Sequence, residues 1–170
     1  MEWTCRTQYN VKTLTMMSRV MRKTLRKRFS RGAHLFSYVV MAMCLLSIWV
    51  RWGEWGEVAL HGVIFGLLLL LRLGEDWLNG YLAYKQKLPG MDDVTTVFRQ
   101  DGYEGCMAGA TTKWSYDAIQ TLAETEHYFV FLLNKTYAQA YDKRQITGGD
   151  VDQLREFLYQ KTGKQIQYIK

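Results

Sequence analysis

Proline is almost absent: the 170 residues contain one, Pro89. A proline ring breaks helices and central strands, so the rest of the chain is free to form long elements, and Pro89-Gly90 marks the one sharp boundary. Cysteine is sparse as well. Cys5, Cys44 and Cys106 form no C-x-x-C and no Cys/His spacing of a zinc site, which argues against a disulfide framework or a structural zinc. Histidine is limited to His34, His61 and His127, scattered along the chain. No nucleophile elbow, Walker loop, dinucleotide fingerprint or H-E-x-x-H is present. Gly102-Tyr-Glu-Gly105 is too short for a phosphate loop and lacks a following helix. On a strand, Glu124 and Glu126 fall on one side and His127 on the other, so they do not form an acid–base group. These absences lead us to expect a non-catalytic protein with no cofactor and no metal.

Acidic residues are nearly missing from the N-terminal third. None occurs between Glu2 and Glu54, while ten basic residues do, from Arg6 to Arg51. From Asp92 onward the balance reverses, with eleven acidic against nine basic residues. The formal net charge of +6 therefore belongs to the N-terminal arm, and we expect no nucleic-acid partner.

What the chain has instead is two long apolar runs, 33–50 and 58–73, joined by Arg51-Trp52-Gly53-Glu54-Trp55-Gly56-Glu57. About 20 helical residues cross a hydrocarbon layer of roughly 30 Å. The first run meets that length. The second is shorter and contains His61, but a chain that crosses once and then builds a cytosolic domain must cross back. Trp49, Trp52 and Trp55 cluster at the loop end, where indoles favour the headgroup layer. Gly62 and Gly66 form a G-x-x-x-G, a candidate surface for close helix packing. The competing reading is a soluble core hairpin. Arg19, Arg22, Lys23, Arg26, Lys27, Arg28 and Arg31 place seven positive charges just before the first run. By the positive-inside rule both termini are cytoplasmic and the 51–57 loop faces outward.

Residues 1–32 form the arm. Its first ten residues alternate like a strand, which would have to pair with the distant C-terminal domain. Beyond it, Leu14, Met17, Met21, Leu25 and Phe29 predict one amphipathic helix from 11 to 29. Two readings of that stripe stay open. It lies among acyl chains with the basic residues at anionic lipid headgroups, or it packs on the soluble domain. Residues 74–90 extend the second helix and end in a linker. From 91 to 170 the pattern is of short strands with turns: 94–98, 103–107, 111–114, 118–125, a most apolar strand 127–133 expected at the sheet centre, and 137–141. Asp150 and Gln153 have capping-box spacing ahead of a final helix that Gly163 would stop.

A curled antiparallel sheet closed by one C-terminal helix has the plan of a pleckstrin-homology-like domain. Behind a two-span hairpin it resembles the bacterial YcxB-like family of small membrane proteins. The resemblance is carried by Phe98-Arg-Gln-Asp-Gly102, Lys113-Trp-Ser-Tyr-Asp-Ala-Ile119 leading to Glu124, Phe131-Leu-Leu-Asn134, Asp142-Lys-Arg-Gln-Ile146 and the helix 150–159. It departs at Asp142, where the family often has proline. The resemblance implies an α+β protein of the bacterial inner membrane and no established activity. Trp114 and Ile119 then belong to the sheet's core, and Lys143 and Arg144 become candidates for an anionic ligand. The expected function is a binding or scaffolding module at the inner membrane face. The alternative is a hairpin that itself works, as a toxin-immunity or regulatory subunit. Expected partners are the bilayer and anionic headgroups, with another membrane protein or a second copy of the chain also open.

Overall fold

The computed structural model describes residues 2–87, 90 and 92–169. Pro89 and Met91, where the sequence places the boundary of the C-terminal domain, lie outside the described residues; Gly90 is in the left-handed region at φ +83°. The chain is α+β: two sheets, two long apolar helices and two shorter helices.

The first strand, β1 (Trp3–Gln8), buries Trp3, Cys5 and Thr7 and turns Arg6 and Gln8 outward. It pairs antiparallel with β2 (Asp93–Phe98), from Trp3↔Phe98 to Gln8↔Asp93. Adding β3 (Tyr103–Met107), β4 (Ala110–Trp114) and the two-residue β8 (Ile146–Thr147) gives a five-stranded sheet in the order β4-β3-β2-β1-β8. A domain cut at residue 91 would therefore lack an interior strand of this sheet. The second sheet is β7-β6-β5-β9, formed by β5 (Thr121–Glu124), β6 (Tyr128–Leu132), β7 (Ala138–Asp142) and β9 (Ile166–Tyr168). Every residue of β6 is buried, as its unbroken apolar run requires. Two elements differ from expectation. The stretch 118–125 is a 3-10 turn, Tyr116–Ala118, followed by the shorter β5, because the Ser115 side chain accepts a hydrogen bond from Asp117 N–H and turns the chain. The second, β9, runs parallel to β5 and was not expected, since only three residues after Gly163 carry it.

Phe98, Tyr103, Phe131 and Tyr141 meet edge-on or tilted between the sheets, with ring centroids 4.5–6.3 Å apart. Such pairs each contribute about 1 kcal/mol beyond area burial. The helix α4 (Val151–Thr162) has the expected capping box and the left-handed Gly163. It buries Leu154, Phe157 and Leu158 in this core, with Phe157 4.8 Å from Trp3.

The N-terminal helix splits. Asn10 caps α1 (Val11–Lys23) by accepting from Thr13 N–H at 3.0 Å. Met17 and Val20 are buried against the outer face of the second sheet, on Ala123, Tyr128, Val130, Leu132 and Ala140, with Leu14, Met21 and Leu25 around them. From Leu14 to Leu25 the stripe is thus packed on the second sheet, the arrangement in which it faces the α/β body. Phe29 is not on it. The helix ends at Thr24, whose hydroxyl donates to Val20 C=O, and α2 (Lys27–Val50) starts anew, leaving Phe29 81% exposed.

α2 and α3 (Trp55–Gln86) are both long and apolar enough to cross a membrane. They start earlier than the apolar runs suggest, and α3 continues unbroken for 32 residues, about 48 Å. Only 11% of the most apolar window of α2, and none of that of α3, is buried, so the hairpin is not part of the core of the sheet body. The C-terminal half of α3 packs on α1. A Cβ at Gly80 would sit 2.4–2.6 Å from the Oγ1, N and Cα of Thr15, so only glycine admits this approach. Gly80→Ala should therefore part the two helices and lower stability by about 1–3 kcal/mol, read by thermal unfolding in lipid nanodiscs. Gly62→Ala, with nothing within 4 Å of its Cβ, should leave the melting temperature unchanged.

Candidate functional site

The two sheets face each other but part at the end formed by β3, β4 and β7. The strand register places Val94, Thr96, Gly105, Met107, Thr112 and Trp114 on one wall. Gln139 and Tyr141 of β7 form the other, and Leu14 and Met17 of α1 with Ala83 and Gln86 of α3 complete the enclosure. The cleft holds about 360 Å³. Its walls are mainly apolar, with Thr96, Thr112 and Gln86 among them and a polar cluster around Gln139. Tyr103 and Tyr141 both donate their phenol protons to Gln139 Oε1, at 2.9 and 2.8 Å. Burial pushes both phenols up from the ordinary tyrosine value, so they remain protonated donors. Tyr9, raised by burial to about 12, is anchored by donating to Ala140 C=O and accepting from Ala140 N–H. Trp114 stacks on the exposed Tyr137, centroids 5.6 Å apart. The charged residue on the wall is Lys87, already bound to Asp92 and to Tyr9 C=O.

The basic residues of the arm divide into two groups. Arg22 grips Asp76 of α3 with Nε at 2.7 Å and Nη2 at 2.6 Å, Arg19 reaches the same carboxylate at 3.4 Å, and Arg26 donates to Lys135 C=O. These three serve the joint between arm, helix and domain. Lys23, Lys27, Arg28 and Arg31 are exposed, the last three at the start of α2 beside Phe29. Nearby, Ser30 and Glu75 flank His34 at 2.8 and 3.2 Å, and Arg72 pairs with Glu75 at 2.9 Å. Gly62 is exposed and Gly66 half-buried, and neither has a neighbour within 4 Å of its Cβ; within this chain they do not pack α2.

Lys143 and Arg144 both have carboxylate partners. Lys143 meets Glu124 at 2.9 Å and Arg144 meets Asp142 at 2.6 Å. Asp142 thus neutralises the neighbouring cation. Glu124, 7% exposed at its side chain, also takes two hydrogen bonds from Arg155. Glu126 and His127 point elsewhere, 3.9 Å apart and exposed to solvent. Among the described residues, no three His, Cys, Asp or Glu side chains converge as a metal site requires. Neither Gly105 nor Gln139 stood out in the sequence. A glycine inside a strand is a signal for close approach or open space; Gln139 carried none. Compared with protein-family models, curated proteins and solved structures, the chain gives no match.

Burial works against the charge on Glu124, and the hydrogen bonds from Arg155 and Lys143 overcome it, holding the carboxyl below its ordinary 4.5. A depressed folded value means that the stabilisation is full above the unfolded value and is lost as pH falls through the folded one. The melting temperature should therefore decline on acidification below about pH 4.5. Glu124→Gln should lose roughly 3 kcal/mol at neutral pH, the cost of unpairing a buried charge cluster, and show a shallower acid limb. Wild-type stability in Glu124→Gln at neutral pH would refute this role.

Proposed function

We propose that the chain is a membrane-anchored, non-catalytic binding module, its α/β body held at the inner face of a bacterial plasma membrane. The observation that carries this reading is the continuity of α3. Its first half is apolar and bare, and its second half is locked to α1, which in turn covers the second sheet. A body fixed in this way keeps one orientation to the bilayer. The bare apolar windows support a two-span hairpin, because about 30 Å of exposed hydrocarbon-like helix is stable only in lipid. Lys27, Arg28 and Arg31, at the entry to α2, support a cytoplasmic start and contact with anionic headgroups, each contributing about 1 kcal/mol. Two opposed sheets with α4 over one end support the pleckstrin-homology-like and YcxB-like reading, although Lys143 and Arg144 are already paired.

Alkaline phosphatase inserted in the 51–57 loop should be active and a fusion after Lys170 inactive; the reverse pattern would overturn the orientation. Changing Lys27, Arg28 and Arg31 together to Gln should weaken selective capture of anionic lipid from mixed detergent micelles without lowering the melting temperature.

The open Gly62 and Gly66 favour a second reading, in which the hairpin packs on another membrane helix. Unchanged cross-linking between hairpins when both are replaced by Leu would count against it.

A further inference from the structure

The cleft between the sheets has two features that its role as protein core leaves unexplained. The first is Gly105. In a strand interior, glycine usually marks a bulge, a crowded backbone or a ligand's approach. Here Thr96↔Gly105↔Thr112 pair in regular register, and Gly105 has no left-handed φ. A Cβ at this position would meet only Thr96 Oγ1 at 3.8 Å and Val94 Cγ1 at 3.9 Å, both ordinary contacts. Neither geometry nor crowding calls for glycine; the missing side chain leaves volume.

The second is Gln139. Two phenols converge on its Oε1, and reversing the amide would strand two phenol protons. Its orientation is therefore fixed, and among the described residues its Nε2 has no partner. Two N–H donors are left for whatever occupies the cleft. The occupant must be apolar along most of its length and carry an acceptor for Gln139. It must also be neutral, because Lys87 is already bound to Asp92 and no other charged side chain lines the wall. An apolar cavity of about 150 Å³ takes up benzene, so by proportion 360 Å³ holds roughly 14 non-hydrogen atoms. Ala83 and Gln86 on the wall belong to the same helix that leaves the membrane, where amphiphiles concentrate.

We propose that the cleft binds a neutral monoacyl compound, a single medium-length hydrocarbon chain ending in an ester or amide carbonyl that accepts from Gln139 Nε2. This rests on the binding-module reading and gives that module its ligand class.

The test uses the full chain in lipid nanodiscs, with methyl decanoate as probe and undecane as the acceptor-free control, and bound probe counted by native mass spectrometry. Wild type should take up one methyl decanoate saturably. Gly105→Leu, which fills the cleft from the strand side, should bind it at least tenfold more weakly while melting no lower than wild type. Gln139→Glu keeps an acceptor for both phenols but removes the donors. It should weaken the ester at least tenfold and change undecane less than twofold. Equal uptake by wild type and Gly105→Leu would mean that the ester sits in the bilayer, and would overturn the proposal. So would absence of saturable uptake by wild type, or equal losses of ester and undecane in Gln139→Glu. Such failures leave the anchored-module reading intact, because the phosphatase fusions decide it independently.

Discussion

The contact between α1 and α3 at Gly80 is what the architecture depends on. Without a Cβ there, the backbone of α1 comes close enough for Thr15 to rest on α3, and Arg22 and Arg19 then reach Asp76. The other side of α1 is committed to the second sheet through Met17 and Val20. One 13-residue helix thus has apolar contact on one face and a close helix crossing on the other. The sheet body and the apolar hairpin are therefore held together by packed helix contacts as well as by the chain that joins them.

The same constraint explains the charge asymmetry. A basic arm ahead of a membrane hairpin suggests a uniform lipid-binding surface, but the cations have different duties. Arg19 and Arg22 face carboxylates of α3, and a bidentate, partly shielded pair such as Arg22–Asp76 is worth more than a solvated one. Lys27, Arg28 and Arg31 remain exposed where α2 begins. Within the body, Glu124 and Asp142 similarly engage Lys143, Arg155 and Arg144. The body's own basic residues are largely neutralised, so the positive potential is concentrated at the foot of the hairpin.

What the sequence reveals is what local periodicity encodes. Val11 to Met21, the apolar runs, the β6 segment and the capping box at Asp150 all carry short-range patterns, and each forms the expected kind of element. The strand at Trp3–Gln8 is legible by its alternation, and its distant partner follows from having none nearby. The break at Thr24 is hidden in the sequence because the apolar spacing continues to Phe29; in the structure the helix ends where the Thr24 hydroxyl caps Val20 C=O. Long-range pairing is what stays invisible. Nothing around Gly80 distinguishes it from Gly62 and Gly66 in a helix rich in glycine, and it is Gly80 that meets a neighbour. The basic pair Lys143-Arg144 reads as an open anion site until Glu124, nineteen positions away, is placed against Lys143. The cleft belongs to this class, since its walls come from four strands and two helices.

The joint and the cleft are also physically one thing. Leu14 and Met17 line the cleft from α1, and Ala83 lines it from the turn of α3 that follows Gly80. The helix pair that joins the body to the hairpin is therefore also a wall of the cleft between the sheets. Packed interfaces respond to strain by shifting as units, not by local deformation. A change in the tilt of α3 cannot be absorbed at Gly80, where a Cβ would already clash with Thr15. It must be passed to α1, and so to the wall that an occupant of the cleft would touch.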